Sequence, residues 1–335
     1  MSVNQMMLLF GSLVFICSCS QTALQENFLA YQQQLTNELD FAIELSSENI
    51  HLTYPAAKVL KLELSETTIN LRELFALQDC YVATLIAQRN TALGKVQLPS
   101  VRFAYEVKLI GGLQECLQNV DIEQQQLISQ WLQQKQNNLP LVWADMLQNS
   151  QEIKRTFSGN TQLFNHVSDE KLQVYQQHLD YFIQLNSSDV INVSSKLGDL
   201  EANLNALRKM PLSSQLWRTQ NQIEIWLTNI NTQLNTVFNE LECNTEQSRQ
   251  QINRLKAIYQ LHFINGIKPI TEDVNDAIEH LMPSFKTLQE THVLANAFRH
   301  FLLQRETEHL NYKKAVKRHD FLWQTLFKKC ELNSP

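Results

Sequence analysis

Residues 100–117 read SVRFAYEVKLIGGLQECL. Wound as a helix, this stretch carries Phe103, Tyr105, Val107, Leu109, Ile110, Leu113, Cys116 and Leu117 almost all the way round. A helix that is apolar on every side belongs in the middle of a bundle. Composition points the same way. Gly and Pro, seven each, fall far below average usage and favour long helices over a turn-rich β fold. Hydrophobic residues make up 44% of the chain, enough for a real core, and Gln, a fair helix former, is abundant. The expected fold class is therefore all-α. Roughly ten helices would form an elongated multi-helix bundle or two stacked helical subdomains.

Working outward, Leu71, Leu74, Phe75, Gln78, Val82 and Leu85 form one stripe of a helix opening near Ser65, with Cys80 projecting opposite. Lys58 to Leu64 alternates and suits a short extended segment. Before it, Gln21 to about Leu45 reads as a helix. After the opening stretch, Asp121 and Gln124 suggest a capping box for a helix through Trp131, and Pro140 opens another. Ser158-Gly159-Asn160 marks a break. Helices follow over Asp169 to Leu185, Ser188 to Leu207, Pro211 to Leu241 and from Thr245, with a turn at Gly266 to Pro269. The closing helix has the clearest stripe, Tyr312 through His319 and Trp323 to Cys330.

The first nineteen residues give an address. Met6 to Ile16 is an apolar run of about 11 residues, too short to span a bilayer, which takes roughly 20, but right for the apolar part of a signal peptide. It ends in Ile16-Cys17-Ser18-Cys19, which looks like a bacterial lipobox, although Met1 to Met7 holds no Lys or Arg. In bacterial lipoproteins the signal is cut before the cysteine and that cysteine is acylated. Several acyl chains anchor a protein stably where one does not. Cys19 is then the lipidation site and Cys19 to Pro335 the mature chain. Ser20, rather than Asp, follows Cys19, which by resemblance to sorted lipoproteins favours the outer membrane, with the body facing the periplasm. The alternative is a buried N-terminal helix with its cysteine pair in the core. The expected organisation is a signal peptide over 1–18, an N-terminal helical subdomain over 19–160 and a C-terminal one over 165–335.

Four cysteines remain: Cys80, Cys116, Cys243 and Cys330. An even number in an oxidising compartment points to two disulfides. Three pairings are open; Cys80–Cys116 with Cys243–Cys330 gives one staple to each half and is preferred. Zinc is the alternative, but no two of the four have CxxC spacing. The net charge of −6 argues against a nucleic-acid partner.

Between Leu77 and Leu117 the chain reads Leu77-Gln78-Asp79-Cys80, Ala87-Gln88-Arg89-Asn90, Leu93-Gly94-Lys95-Val96, Pro99-Ser100, Tyr105-Glu106 and Glu115-Cys116-Leu117. This resembles an uncharacterised family of proteobacterial lipoproteins, domain of unknown function 3080, and the lipobox and the Trp323…Cys330 ending fit it too. The resemblance implies lipid anchoring and the four cysteines as a set. It implies no activity.

Arg89-Asn90 with Gly94 is the most specific local cluster. As a site, Arg89 would be a fork donor for a carboxylate or other anion, with Asn90 and Glu106 beside it. As plain structure, Arg89 is a cation at a helix C-terminus, Asn90 lies in or near a left-handed cap, and Glu106 is an ion-pair partner. His292, His300, His309 and His319 lack metal-ligand spacing. His319, beside Trp323 on an apolar face, reads as a hydrogen-bonded core residue. No G-x-S-x-G elbow, P-loop or glycine-rich dinucleotide turn occurs, so no catalytic residue, cofactor or metal ligand is nominated. The leading expectation is a non-enzymatic envelope lipoprotein, bound to the membrane through Cys19, that meets a periplasmic protein partner. The second is a carrier or sensor with a pocket between helices for a lipid or small apolar ligand.

Overall fold

The computed structural model describes residues 22–45, 50–65, 68–91, 94 and 96–331. Residues 1–21, where the signal peptide and the lipidation site Cys19 are expected, lie outside the described residues, as do Leu93 and Lys95. In chain order the helices are α1 (Ala23–Leu39), α2 (Ala57–Leu60), α3 (Leu71–Ala76), α4 (Tyr81–Arg89), α5 (Pro99–Cys116), α6 (Ile122–Asn149) and α7 (Gln151–Ser158). They continue as α8 (Asp169–Gln184), α9 (Val190–Lys196), α10 (Leu200–Lys209), α11 (Leu212–Glu240), α12 (Glu246–Ile258), α13 (Lys268–Glu290) and α14 (Asn296–Lys329). Among the described residues there is no strand, and the fold is an all-α bundle.

The long helices α11 and α14 run side by side in the same direction. Trp217 meets Phe301, Asn231 donates to the Ala315 carbonyl, and Lys329 Nζ donates to the carbonyls of Phe238, Asn239 and Leu241. That lysine places a cation at the negative end of α11. The Cys243–Cys330 disulfide closes the same end, and Cys80–Cys116 ties the start of α4 to the end of α5. Helix α1 lies antiparallel to the α12–α13 rod, with Arg254 on Glu38 at one end and Asn27 on the Gly266 carbonyl at the other.

Where these elements meet, one histidine is wrapped completely. His319 is fully buried. Its Nδ1 lies 2.7 Å from Asn231 Oδ1, which only accepts, so Nδ1 carries the proton. Nε2 then accepts from the Tyr31 hydroxyl at 2.9 Å and Trp323 Nε1 at 3.2 Å. Burial pushes this imidazole down to a pKa of about 3. Its expected role as a hydrogen-bonded core residue matches this geometry.

Several local expectations are corrected. Helix α6 runs straight through Pro140. The backbone bond lost there falls on exposed Gln136, where water can replace it, while buried Trp131, Leu139, Val142 and Trp143 hold both halves. Gly266 to Pro269 is no turn: α12 continues into α13 through a π-helical stretch, Tyr259–Ile267, and Pro269 falls in the first turn of α13. A Cβ on Gly266 would stand 3.1 Å from the Asn27 side chain, so the glycine permits the close approach of α1. The helix expected from Ser65 is two helices, broken between Ala76 and Tyr81. Cys80 caps the second, so it is free of the stripe's phase, and Leu71 and Phe75 lie exposed. Residues 57–60 form a helical turn rather than the start of an extended segment. The Asp121 carboxylate caps α6 as expected, but the Gln124 side chain reaches the Ala76 carbonyl instead of completing the box. Gly198 lies in a 3-10 turn that divides the helix expected over Ser188 to Leu207.

The hydrophobic core has two parts. The main one draws on helices before and after the turn at 159–168, with Phe157 against Trp217 and Phe298. The smaller one holds Leu77, Val82, Leu109, Leu113, Cys116, Ile128 and Trp131. Helix α5 serves both: Phe103, Val107 and Ile110 face the first, Leu109, Leu113 and Cys116 the second. That division is why its apolar residues run right round it.

Candidate functional site

Along the seam between the two cores lies a cavity of about 1000 Å³. Three helices each offer one face to it. Ile86, Arg89 and Asn90 come from α4, and Arg102, Tyr105, Glu106, Leu109 and Leu113 from α5. Trp131, Lys135, Asn138 and Val142 come from α6. All three sets recur at three- and four-residue steps, the spacing of neighbours on a helix surface. The irregular segment after α2, residues 61–65, closes another side together with Thr68 and Ile69.

The polar residues are tied in different degrees. Glu106 is 5% exposed, and Lys135 Nζ stands 3.0 Å from its Oε2 and donates to Oε1 at 3.2 Å. A carboxylate this buried needs such a partner. Asn138 donates to the Ser65 carbonyl at 2.8 Å and so fastens the irregular segment to α6. Arg89 Nη1 donates to the Gly94 carbonyl. A Cβ on Gly94 would run into the carbonyls of Gln88 and Arg89, so only glycine lets the chain fold back there. Arg102, one turn before Glu106, has a buried Nε with no hydrogen-bond partner among the described residues. The Tyr105 hydroxyl is pushed up to about 12, first by burial and then by Glu106, with Arg89 pulling the other way. It is a neutral phenol at pH 7 and can donate a hydrogen bond.

The residues singled out in the sequence, Arg89, Asn90 and Glu106, do line one cavity. Two details differ. Glu106 pairs with Lys135 rather than Arg89, and Asn90 has right-handed helical dihedrals (φ −77°) instead of a left-handed cap. Sequence reasoning missed Arg102, Tyr105, Lys135 and Asn138. The available signal was Lys135 and Asn138 interrupting the apolar line from Trp131 to Val142, which a helix broken at Pro140 conceals.

Lys135→Met is expected to lower stability by about 1–3 kcal/mol, because it leaves a buried carboxylate unpaired. Adding Glu106→Gln should restore most of that loss. A double-mutant cycle from urea unfolding measures it, and independent, additive effects would show that the two charges do not interact.

Two cations on the closing helix are engaged elsewhere. Lys313 pairs with Glu279, and Arg318 donates to Asn235. Among the described residues no three His, Cys, Asp or Glu side chains gather as a metal-sized group, and no helix is long and apolar enough to cross a membrane.

No curated protein and no solved structure matches the chain. A family model, described as protein of unknown function DUF3080, matches residues 28–334, from within α1 to beyond the Cys330 staple. The chain therefore belongs to the DUF3080 family.

Proposed function

We propose that this chain is a non-enzymatic binding protein of the bacterial envelope, held at a membrane by lipid on Cys19, that takes a small ligand between α4, α5 and α6. The cavity is the observation that carries the ligand-binding part. It falls at the upper end of the size range of ligand sites, and its lining sets charged and polar side chains beside an apolar floor of Leu109, Leu113, Trp131 and Val142. A body that works only by docking a protein needs no such space. The address rests on the Met6 to Cys19 pattern. An extended chain from Cys19 to Ala23 reaches on the order of 14 Å. The N-terminal end of α1 would then lie against the bilayer, in the outer membrane by the Ser20 argument, with the body in the periplasm.

Each part has its own test. Cys19→Ala, or inhibition of signal peptidase II, should leave a larger, unlipidated species; unchanged mobility would count against the anchor. Native mass spectrometry of the full chain purified from cells should show a co-purifying small molecule. Ile86→Trp, which fills the cavity from α4, should lose it without a change in melting temperature. Equal recovery from both proteins, or from neither, would remove the cavity from the account.

A further inference from the structure

We infer that the ligand of this cavity is an anionic amphiphile, a carboxylate or phosphate head on an apolar body, with Arg102 as the residue that holds the head. The inference rests on the reading of the cavity as a ligand site and adds the ligand's chemistry.

Charge comes first. Among the described lining residues, Lys61, Arg89, Arg102 and Lys135 face only Glu63 and Glu106, in a chain whose net charge is −6. The cavity is thus a positive spot on an acidic protein. Its cations are not equally free. Lys135 is committed to Glu106, and Arg89 already serves the Gly94 carbonyl. Arg102 keeps a buried, unpartnered Nε–H. A buried donor without an acceptor is destabilising, so an acceptor brought by a ligand relieves a cost already present. A guanidinium presents a planar fork that matches a carboxylate or a phosphate oxygen pair. Glu106 stands one turn further along the same face; its ion pair is with Lys135, no ion pair joins it to Arg102 among the described residues, and its own buried Oε2 accepts no hydrogen bond. The Tyr105 phenol, neutral at pH 7, supplies a second donor on that face.

The rest of the lining sets the rest of the ligand. Leu109, Leu113, Trp131 and Val142 form an apolar floor, and half-buried Ile86 and Ile69 stand on the walls. A small inorganic anion would leave that surface wet, and a neutral hydrocarbon would leave Arg102 unpaired. A cationic amphiphile would meet charge of its own sign. Only an anion with an apolar body uses both halves.

Calorimetry on the full chain at pH 7 tests this with four short probes: octanoate, octyl phosphate, octanamide and octylammonium. One of the two anions should bind at a single site at least tenfold tighter than octanamide, and octylammonium should not bind. The better anion identifies the head. Arg102→Leu should weaken the anion at least tenfold and leave octanamide unchanged, while Arg102→Lys should recover part of the loss. Far-UV circular dichroism and melting temperature check that the variants are folded; should they not be, the charge series on the unaltered chain still decides. Equal binding of octanamide and the anions would overturn the anionic class while leaving the cavity as a ligand site. Unaltered anion binding in Arg102→Leu would remove Arg102. Binding of an anion that survives Ile86→Trp would place it outside the cavity. Failure of both anions would overturn the inference, and the fate of the co-purifying molecule in Ile86→Trp would then decide the broader reading separately.

Discussion

Acidification from pH 6.5 to pH 4 is expected to remove about 3 kcal/mol from the folding stability of this chain, most of it through His319. An unfolded histidine takes up a proton near pH 6.5. The folded His319 does so only at about 3, because burial excludes the charge. Between those values the unfolded state binds one proton more than the folded state, so stability falls as pH falls. The slope approaches about 1.4 kcal/mol per pH unit. Its surroundings offer no relief. Tyr31, Tyr259, Phe263 and Trp323 pack against the ring. The neighbouring carboxylate, Asp320, already accepts from Tyr259 at 2.9 Å and faces Lys268 at 3.8 Å. His309 contributes with the same sign, since burial and then Lys313 lower its pKa. Urea midpoints from pH 7 to pH 4 measure the slope, and His319→Gln should flatten it by close to one proton. Parallel slopes in the two proteins, or an imidazole resonance of His319 titrating near 6.5 in the folded chain, would contradict the prediction.

The Cys243→Ser/Cys330→Ser double variant should lose a further large amount, about 4 kcal/mol. The disulfide closes a loop with a sequence separation of 87 residues, against 36 for Cys80–Cys116, so it constrains the unfolded chain more. The folded end it joins has other supports. Lys329 still donates to the carbonyls of Phe238, Asn239 and Leu241 at the end of α11, and Trp323 still packs on Phe238. The variant should therefore keep its far-UV circular dichroism at low denaturant while its unfolding midpoint falls well below that of the parent. Removing Cys80 and Cys116 should have the smaller effect on stability, with its structural consequence confined to α4 and the cavity wall it carries. A drop of less than about 1 kcal/mol for the 243–330 pair would mean that the native staple is strained or that the reduced chain keeps its own order.

Much of the fold was legible because its signals are local and repeated. The apolar stripes of α11 and α14 recur over many turns, and the scarcity of Gly and Pro left little else to build. The errors came where a single residue usually decides. Pro140 and Gly266 to Pro269 are breakers by intrinsic preference, yet long helices packed on both sides carried the chain through them. Cys80 was phased on a helix that ends before it. The site was half legible. Arg89, Asn90 and Glu106 stood out by residue type, but Lys135 and Arg102 gain their meaning from a neighbour in space. Lys135 lies 29 positions from Glu106, and no periodicity within α5 or α6 announces that pairing.

Helix α5 has one more consequence. Between its two cores and the cavity, the residues it leaves exposed are Val101, Lys108, Gly111 and Glu115, a line one side chain wide along its length. A Cβ at Gly111 would touch nothing, whereas one at adjacent Gly112 would press on Val82 and Leu85 of α4. Those four positions are where descendants of this sequence have latitude to drift. Elsewhere along α5 a replacement must be accommodated by one hydrophobic cluster, by the other, or by whatever occupies the space between them.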